Sequence, residues 1–290
     1  MMRGMAPHQH FLICQACCSS SLFPLFGGSV SRDDSELSAG GLMDIFDEIV
    51  QERPHLKETL ELYKKVLKIK SMEVVLEGEL PMDARGYSGD DLRKIMDEMS
   101  QALGINRDVL EPLEELLLSG EVDLRGLPLG TGLPGGVSVE DEAFTFLYIL
   151  SKPYFIAESK RLNLGDIYWT EGRCPVCNAL PSVAFIGREE KRRFYCTFCE
   201  TVGPWQRTGC PTCQSESPEM MNILYLEGED GMRADLCEEC RNYFKSFDYS
   251  LRARYSPDIL DLISLPFDII AQGKGYRRPS PNPLGMIRMA

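Results

Sequence analysis

The sequence predicts an α+β protein: an all-α N-terminal domain, two tandem four-cysteine metal modules, and a C-terminal helix with an extended tail. Apolar residues recur at helical spacing from Leu42 to about Leu162. Eight of the eleven cysteines fall in four C-x-x-C pairs between Cys174 and Cys240, and none lies between Cys18 and Cys174. The runs between those pairs are strand-like but short, so something besides a large apolar core must hold them. The predicted divisions are 1–41, 42–165, 166–205, 206–250 and 251–290.

Residues 1–41 are polar and Ser/Gly-rich in their second half and lack a helical period. Phe11–Ile13 is followed by Gln15, which leaves no apolar stretch of signal-peptide length. The expectation is a disordered leader, or an over-extended start with Met43 nearer the true beginning. Cys14, Cys17 and Cys18 have no second pair to complete a site.

From Leu42 the pattern turns helical, with Ile45, Phe46, Ile49 and Val50 on one face. Pro54 suits the first turn of a second helix carrying Leu56, Leu60, Tyr63 and Leu67. Ser88 and Asp91 resemble a capping box before Leu92, Ile95, Met96, Met99 and Leu103, and Gly104 is a stop signal. Val109, Leu110, Leu113, Leu116 and Leu117 mark a further helix ended by Gly120. Glu121–Val137 holds five glycines and two prolines and reads as a loop. Ser138 and Asp141 then cap a helix through Phe144, Leu147 and Leu150, which Pro153 kinks or ends before a last piece to Leu162. These stripes read as core. Beyond Asp166 the strand-like runs are Val183–Ile186, Phe194–Tyr195 and Ile223–Leu226; Ser256–Gly273 is helical, and Gly275–Ala290 is an extended Pro/Gly/Arg-rich tail.

The formal net charge is −13, which argues against a general binder of nucleic acid or anionic membranes. No stretch approaches the roughly 20 apolar residues that span a bilayer. Paired cysteines in a chain of this size read as metal ligands in a reducing compartment rather than as a disulfide scaffold.

The pairs Cys174/Cys177, Cys196/Cys199, Cys210/Cys213 and Cys237/Cys240 give C-x2-C-x18-C-x2-C, ten residues, then C-x2-C-x23-C-x2-C. Two pairs complete a tetrahedron of thiolates, with Zn–S near 2.3 Å. Sequential pairing closes each quartet with a hairpin; crossing the first pair with the third is the alternative. Four thiolates suit Zn2+ and equally a single iron, so spacing leaves the metal open. The sites read as closed: the histidines His8, His10 and His55 are remote in sequence, and no Cys–His pair or phosphate loop is present. Arg188, Lys191, Arg192 and Arg193 beside Phe194 and Tyr195 form a basic–aromatic hairpin of the kind that binds nucleic acid in zinc ribbons. Glu189 and Glu190 interrupt it, and Asp166–Ser250 carries nine Lys/Arg against fourteen Asp/Glu. A strand face or a protein contact is the better reading.

CPVC at 174–177, YCTFCET with Trp205, CPTC and RADLCEECRNYFK resemble the formate dehydrogenase accessory family of the FdhE type. The tail DLISLPFDIIAQGKGYRRPSPNPL agrees with it. The resemblance covers about Met43 to Leu284, with Asn178 and Gln214 standing where glycine is common. It implies an α-helical domain joined to two rubredoxin-like modules, with the eight paired cysteines as ligands of two metal ions. It also implies a cytoplasmic, non-enzymatic factor that binds the catalytic subunit of formate dehydrogenase during maturation. Arg233, Tyr243 and Lys245 around the last knuckle, and Tyr276, Arg277, Asn282 and Pro283 in the tail, are candidates for the partner surface. A one-electron carrier of rubredoxin type is the competing reading, and a nucleic-acid binder is the least favoured.

Overall fold

The computed structural model describes residues 39–76, 86–131, 133, 138, 142–187 and 192–289. The leader up to residue 38, the capping residue Asp141, and Arg188, Glu189, Glu190 and Lys191 at the hairpin tip lie outside the described residues. Residues Ile45–Ala290 make one compact unit; of the other, Met1–Asp44, only the start of the first helix is described.

Helix α1 (Ala39–Glu52) begins slightly before its expected start and buries Phe46 and Ile49. A 3-10 turn at Pro54–Leu56 leads into α2 (Lys57–Lys70), whose buried face is Leu60, Tyr63, Val66 and Ile69. Leu67 of the expected stripe is only half-buried, because the face that meets α3 and α5 is turned by one residue. In α3 (Gly89–Leu103) the Ser88 hydroxyl accepts from the Asp91 amide at 3.1 Å, and Gly104 closes the helix at φ +70°. Such left-handed closure is what glycine permits and other residues resist. In α4 (Arg107–Ser119), capped by Asn106 and stopped by Gly120, Leu110 and Leu117 are buried while Val109 faces solvent.

Helix α5 (Glu142–Leu162) runs unbroken through Pro153. It is apolar on most of its surface, as a helix covered on several sides must be. One side meets α2 and α3. The other meets the first cysteine module: Phe198 packs edge-on to Tyr148 and Phe155, with ring centroids 5.0 and 5.6 Å apart.

The cysteine region is one six-stranded sheet in the order β3-β2-β1-β6-β5-β4. The strands are β1 (Val183–Ile186), β2 (Arg192–Tyr195), β3 (Val202–Trp205), β4 (Met221–Leu224), β5 (Met232–Cys237) and β6 (Tyr243–Asp248). Neighbours are antiparallel except β1 and β6, whose parallel pairing joins the first module to the second. The expected runs correspond to β1, β2 and β4. β5 and β6 escape the pattern because Arg233, Asp235 and Lys245 interrupt their apolar alternation.

The C-terminal helical stretch is two helices, α6 (Pro257–Ile263) and α7 (Leu265–Gly273), separated at Ser264 before Pro266. Pro266 has no amide hydrogen to continue the ladder. Both lie against the sheet face that carries Tyr243 and Lys245. There the Lys245 ammonium bonds Asp261 at 2.6 Å and Asp268 at 2.5 Å. Arg278 forks onto the same two carboxylates at 2.5–2.9 Å, and the Tyr243 hydroxyl donates to Asp268 at 2.7 Å. All four charged side chains are wholly enclosed. Two cations facing two carboxylates are charge-balanced, the condition under which such burial is tolerated. Burial alone favours the neutral acid at Asp268, but the Lys245 and Arg278 charges outweigh it and lower its pKa.

Asp268→Asn would leave a buried cation uncompensated and should cost about 3–5 kcal/mol, read from urea unfolding at neutral pH. A depressed carboxylate lends its full stabilisation above the unfolded value near pH 4 and loses it as pH falls from there toward the folded value. The variant's unfolding free energy should therefore fall less steeply than the wild type's below about pH 4.

Candidate metal centres

Each C-x-x-C pair sits on the same backbone loop. The carbonyl of its first cysteine accepts from the residue after the second: Asn178, Glu200, Gln214 and Arg241, at 2.8–3.0 Å. The amide of that first cysteine donates to the carbonyl five residues on, at Ala179, Thr201, Ser215 and Asn242. The turn requires a left-handed residue, and the four adopt φ of 63°, 64°, 61° and 58°. None is glycine, and each carries strain of about 1 kcal/mol or more. At two positions the side chain offsets it. Glu200 pairs with Lys70 at 2.7 Å and Lys152 at 3.3 Å. Arg241 lies 3.9 Å over the Tyr276 ring and donates to the Lys274 carbonyl at 2.9 Å.

These loops gather the sulfurs into two sets, Cys174, Cys177, Cys196, Cys199 and Cys210, Cys213, Cys237, Cys240, each within 4.8 Å of one another. Pairing is sequential. The nearest separations are 3.3 Å for Cys174–Cys199 and Cys177–Cys196, 3.6 Å for Cys210–Cys240 and 3.7 Å for Cys213–Cys237. A tetrahedron with Zn–S near 2.3 Å has edges of about 3.8 Å, which the second set nearly matches and the first approaches from below. Burial pushes the Cys177, Cys196 and Cys210 thiols up and Cys213 up to about 11. At Cys174 burial acts the same way but is outweighed by hydrogen bonds from Cys177, Cys196 and Cys199, which lower it. Mutual thiol hydrogen bonds cannot hold four thiolates together; a cation between them can. Each set thus has the ligands to bind one metal ion. The donors do not distinguish zinc from iron.

The surroundings of the two sets differ. All four sulfur-bearing residues of the first are buried, whereas Cys213 and Cys240 of the second are partly exposed. The first is roofed by α5, where the Tyr148 hydroxyl and the Lys152 ammonium both donate to the Thr197 carbonyl at 2.6 Å, inside the Cys196–Cys199 loop. Beside it, Asp258 of α6 accepts from Tyr63 at 2.8 Å, Lys70 at 2.7 Å and Tyr195 at 2.6 Å. Burial opposes this charge, but Lys70 and Lys152 outweigh it and hold Asp258 well below the usual carboxylate range.

Of the candidate partner residues, Tyr243, Lys245, Tyr276, Asn282 and Pro283 are buried within the chain. Tyr243 and Lys245 belong to the Asp268 network, and the Asn282 side chain accepts from the Leu284 and Met286 amides at 3.0 Å. They cannot meet a partner unless the tail opens. Arg233, paired with Asp235, is partly exposed, and Arg277 is exposed. The described cations of the basic hairpin are engaged internally. Arg192 is buried over Phe244 at 4.7 Å and donates to the Gly209 carbonyl; Arg193 pairs with Asp166. Lys70, Lys152, Glu200, Asp258, Asp261, Asp268 and Arg278 were not anticipated. Their sequence signal is three aspartates inside an otherwise apolar helical run at 257–271.

Residues 208–284 match the family model described as FdhE, C-terminal domain. The chain is 27% identical over 157 residues to an FdhE homolog of Aquifex aeolicus, covering 53% of this chain and 55% of that one. It is 32% identical over 152 residues to an FdhE homolog of Haemophilus influenzae, covering 50% of each. It thus spans about half the length of the curated relatives it matches. The crystal structure of the FdhE protein from Pseudomonas aeruginosa superposes with a TM-score of 0.54 at 20% identity, over 83% of this chain and 93% of that one, which shows a shared fold.

Replacing Cys174 and Cys177 by serine should remove one of two metal equivalents by elemental analysis and lower the thermal midpoint, since metal binding at such sites is itself folding free energy. Retention of both equivalents would refute the assignment of these ligands. In the unaltered chain a chelator should empty the Cys210 set before the Cys174 set, which a second variant lacking Cys210 and Cys213 would resolve by losing its fast phase of metal release.

Proposed function

We propose that the chain is an accessory factor in the assembly or maturation of formate dehydrogenase, binding the enzyme's catalytic subunit in the cytoplasm. The observation that carries this reading is the extent of the FdhE C-terminal match. It begins just before Cys210 and runs through the second cysteine set, α6 and α7 into the tail, as far as Leu284. The helical half and the first set are supported by the shared fold. The factor works by binding rather than by turnover. Its two cysteine sets are filled by protein ligands, with no open coordination position of the kind catalytic zinc keeps. No helix of the described residues is long and apolar enough to cross a membrane.

The metal-stiffened sheet would present a fixed surface to the subunit, with Arg233 and Arg277 as contact residues. A rubredoxin-like electron carrier is a second reading, favoured by the partial exposure of Cys213 and Cys240, which would bring an iron there within reach of a donor. Visible absorption separates the two, because Zn2+ is d10 and redox-silent.

Affinity capture of the tagged chain from anaerobic, formate-metabolising cells should recover a formate dehydrogenase catalytic subunit. The recovery should be lost when either cysteine set is replaced by serine. Capture without that subunit would sink the assembly reading.

A further inference from the structure

Where the tail passes the second cysteine set there is a groove of about 380 Å³ whose charged lining is wholly arginine. Thr212 from the Cys210–Cys213 loop and Asn242 just after Cys240 line it together with Arg277, Arg278, Ile287 and Arg288 of the tail. Among the described residues no aspartate or glutamate lines it, although the chain carries 44 acidic against 31 basic residues. Arg278 is spent inside the core on Asp261 and Asp268. Arg277 is different. Its backbone is fixed, since its amide donates to the Arg241 carbonyl at 2.7 Å and its carbonyl accepts from the Tyr243 amide at 3.0 Å. Its guanidinium is exposed and has no hydrogen-bond or ion-pair partner among the described residues.

We infer that this groove docks an acidic, extended segment of a partner protein. The argument is charge complementarity. An exposed guanidinium in a groove whose described lining holds no carboxylate is where an acidic segment is drawn on an otherwise anionic protein. A guanidinium held on a pinned backbone presents its donors to a carboxylate in a fork without first having to order the chain. The lining also includes the apolar side chains of Leu180, Pro279 and Ile287, which can cover the side chains that alternate with the acidic ones. The thiolates behind Thr212 act against an anion, so the interaction is moderate in strength and salt-sensitive. It does not depend on which enzyme the chain serves.

The test uses the full metal-loaded chain and a short fluorescent peptide of alternating glutamate and glycine, followed by anisotropy. Lysine–glycine and serine–glycine peptides serve as controls. The glutamate peptide alone should bind, and rising ionic strength should weaken it, as screening over about 10 Å at 0.1 M requires. Arg277→Glu should weaken it about fivefold or more, and Arg277→Gln by less. Arg93→Glu, which makes the same net-charge change at an exposed site on α3, should leave it unchanged. Circular dichroism and metal content should match the unaltered chain in all three, since both side chains are at the surface. Equal binding of the three peptides would overturn the proposal. So would unchanged affinity in Arg277→Glu, or an equal loss in Arg93→Glu, which would reduce the effect to net charge alone.

Discussion

Three carboxylates on one short stretch of chain, Asp258, Asp261 and Asp268, hold the rest of the molecule in register. Asp258 reaches Tyr63 and Lys70 on α2 and Tyr195 on β2, tying the helical half to the first cysteine module. Asp261 and Asp268 reach Lys245 on β6 and Arg278 in the tail, tying the second module to the C-terminus. Because these acids sit in a low-dielectric interior, each is stable only while its cations are in place. Packing of α6 and α7 therefore requires α2, the sheet and the tail together. That makes the buried charges devices of specificity more than of net stability, since an ion pair roughly offsets its own desolvation.

The helices and metal ligands were readable in the sequence for different reasons. Ser88, Gly104 and Gly120 act locally: a hydroxyl that caps the next turn or a glycine that ends one needs no tertiary partner, so the signal survives in one dimension. The cysteines announce themselves because nothing but a cation collects four C-x-x-C pairs in a short span. β5 and β6 were hidden by the same Lys245 and Asp235 that structure needs inside. A buried charge looks like surface until its partner is known, and Lys245 finds its partners 16 and 23 residues on, in α6 and α7. The candidate partner residues Tyr243 and Asn282 fell to the same ambiguity, being polar groups satisfied within the chain.

The two cysteine sets show how one local design acquires two characters. Their loops share hydrogen bonds, turn geometry and left-handed residue, so the loop backbone does not separate them. The difference comes from the residue after each pair and from what lies above. Glu200 is drawn into the Lys70 and Lys152 charges beneath α5 and locks the first set into the interior. Arg241 stacks on Tyr276 at the surface and ties the second set to the tail. One set is a beam of the frame; the other is a part of the frame that meets solvent.

The parallel junction between β1 and β6 gives that difference a mechanical consequence. Here the first and second modules share backbone hydrogen bonds, with Lys245 donating its amide to the Ser182 carbonyl at 2.8 Å. The same Lys245 carries the ammonium that neutralises Asp261 and Asp268. The tail residue Ser280 locks onto the joint as well, exchanging hydrogen bonds with Ser182 at 2.9 and 3.0 Å. Strand pairing, charge balance and tail docking thus converge on Ser182 and Lys245, between the two cysteine sets. Removing Arg278 from Asp261 and Asp268 would leave Lys245 facing two carboxylates alone, so the joint depends on the tail being docked.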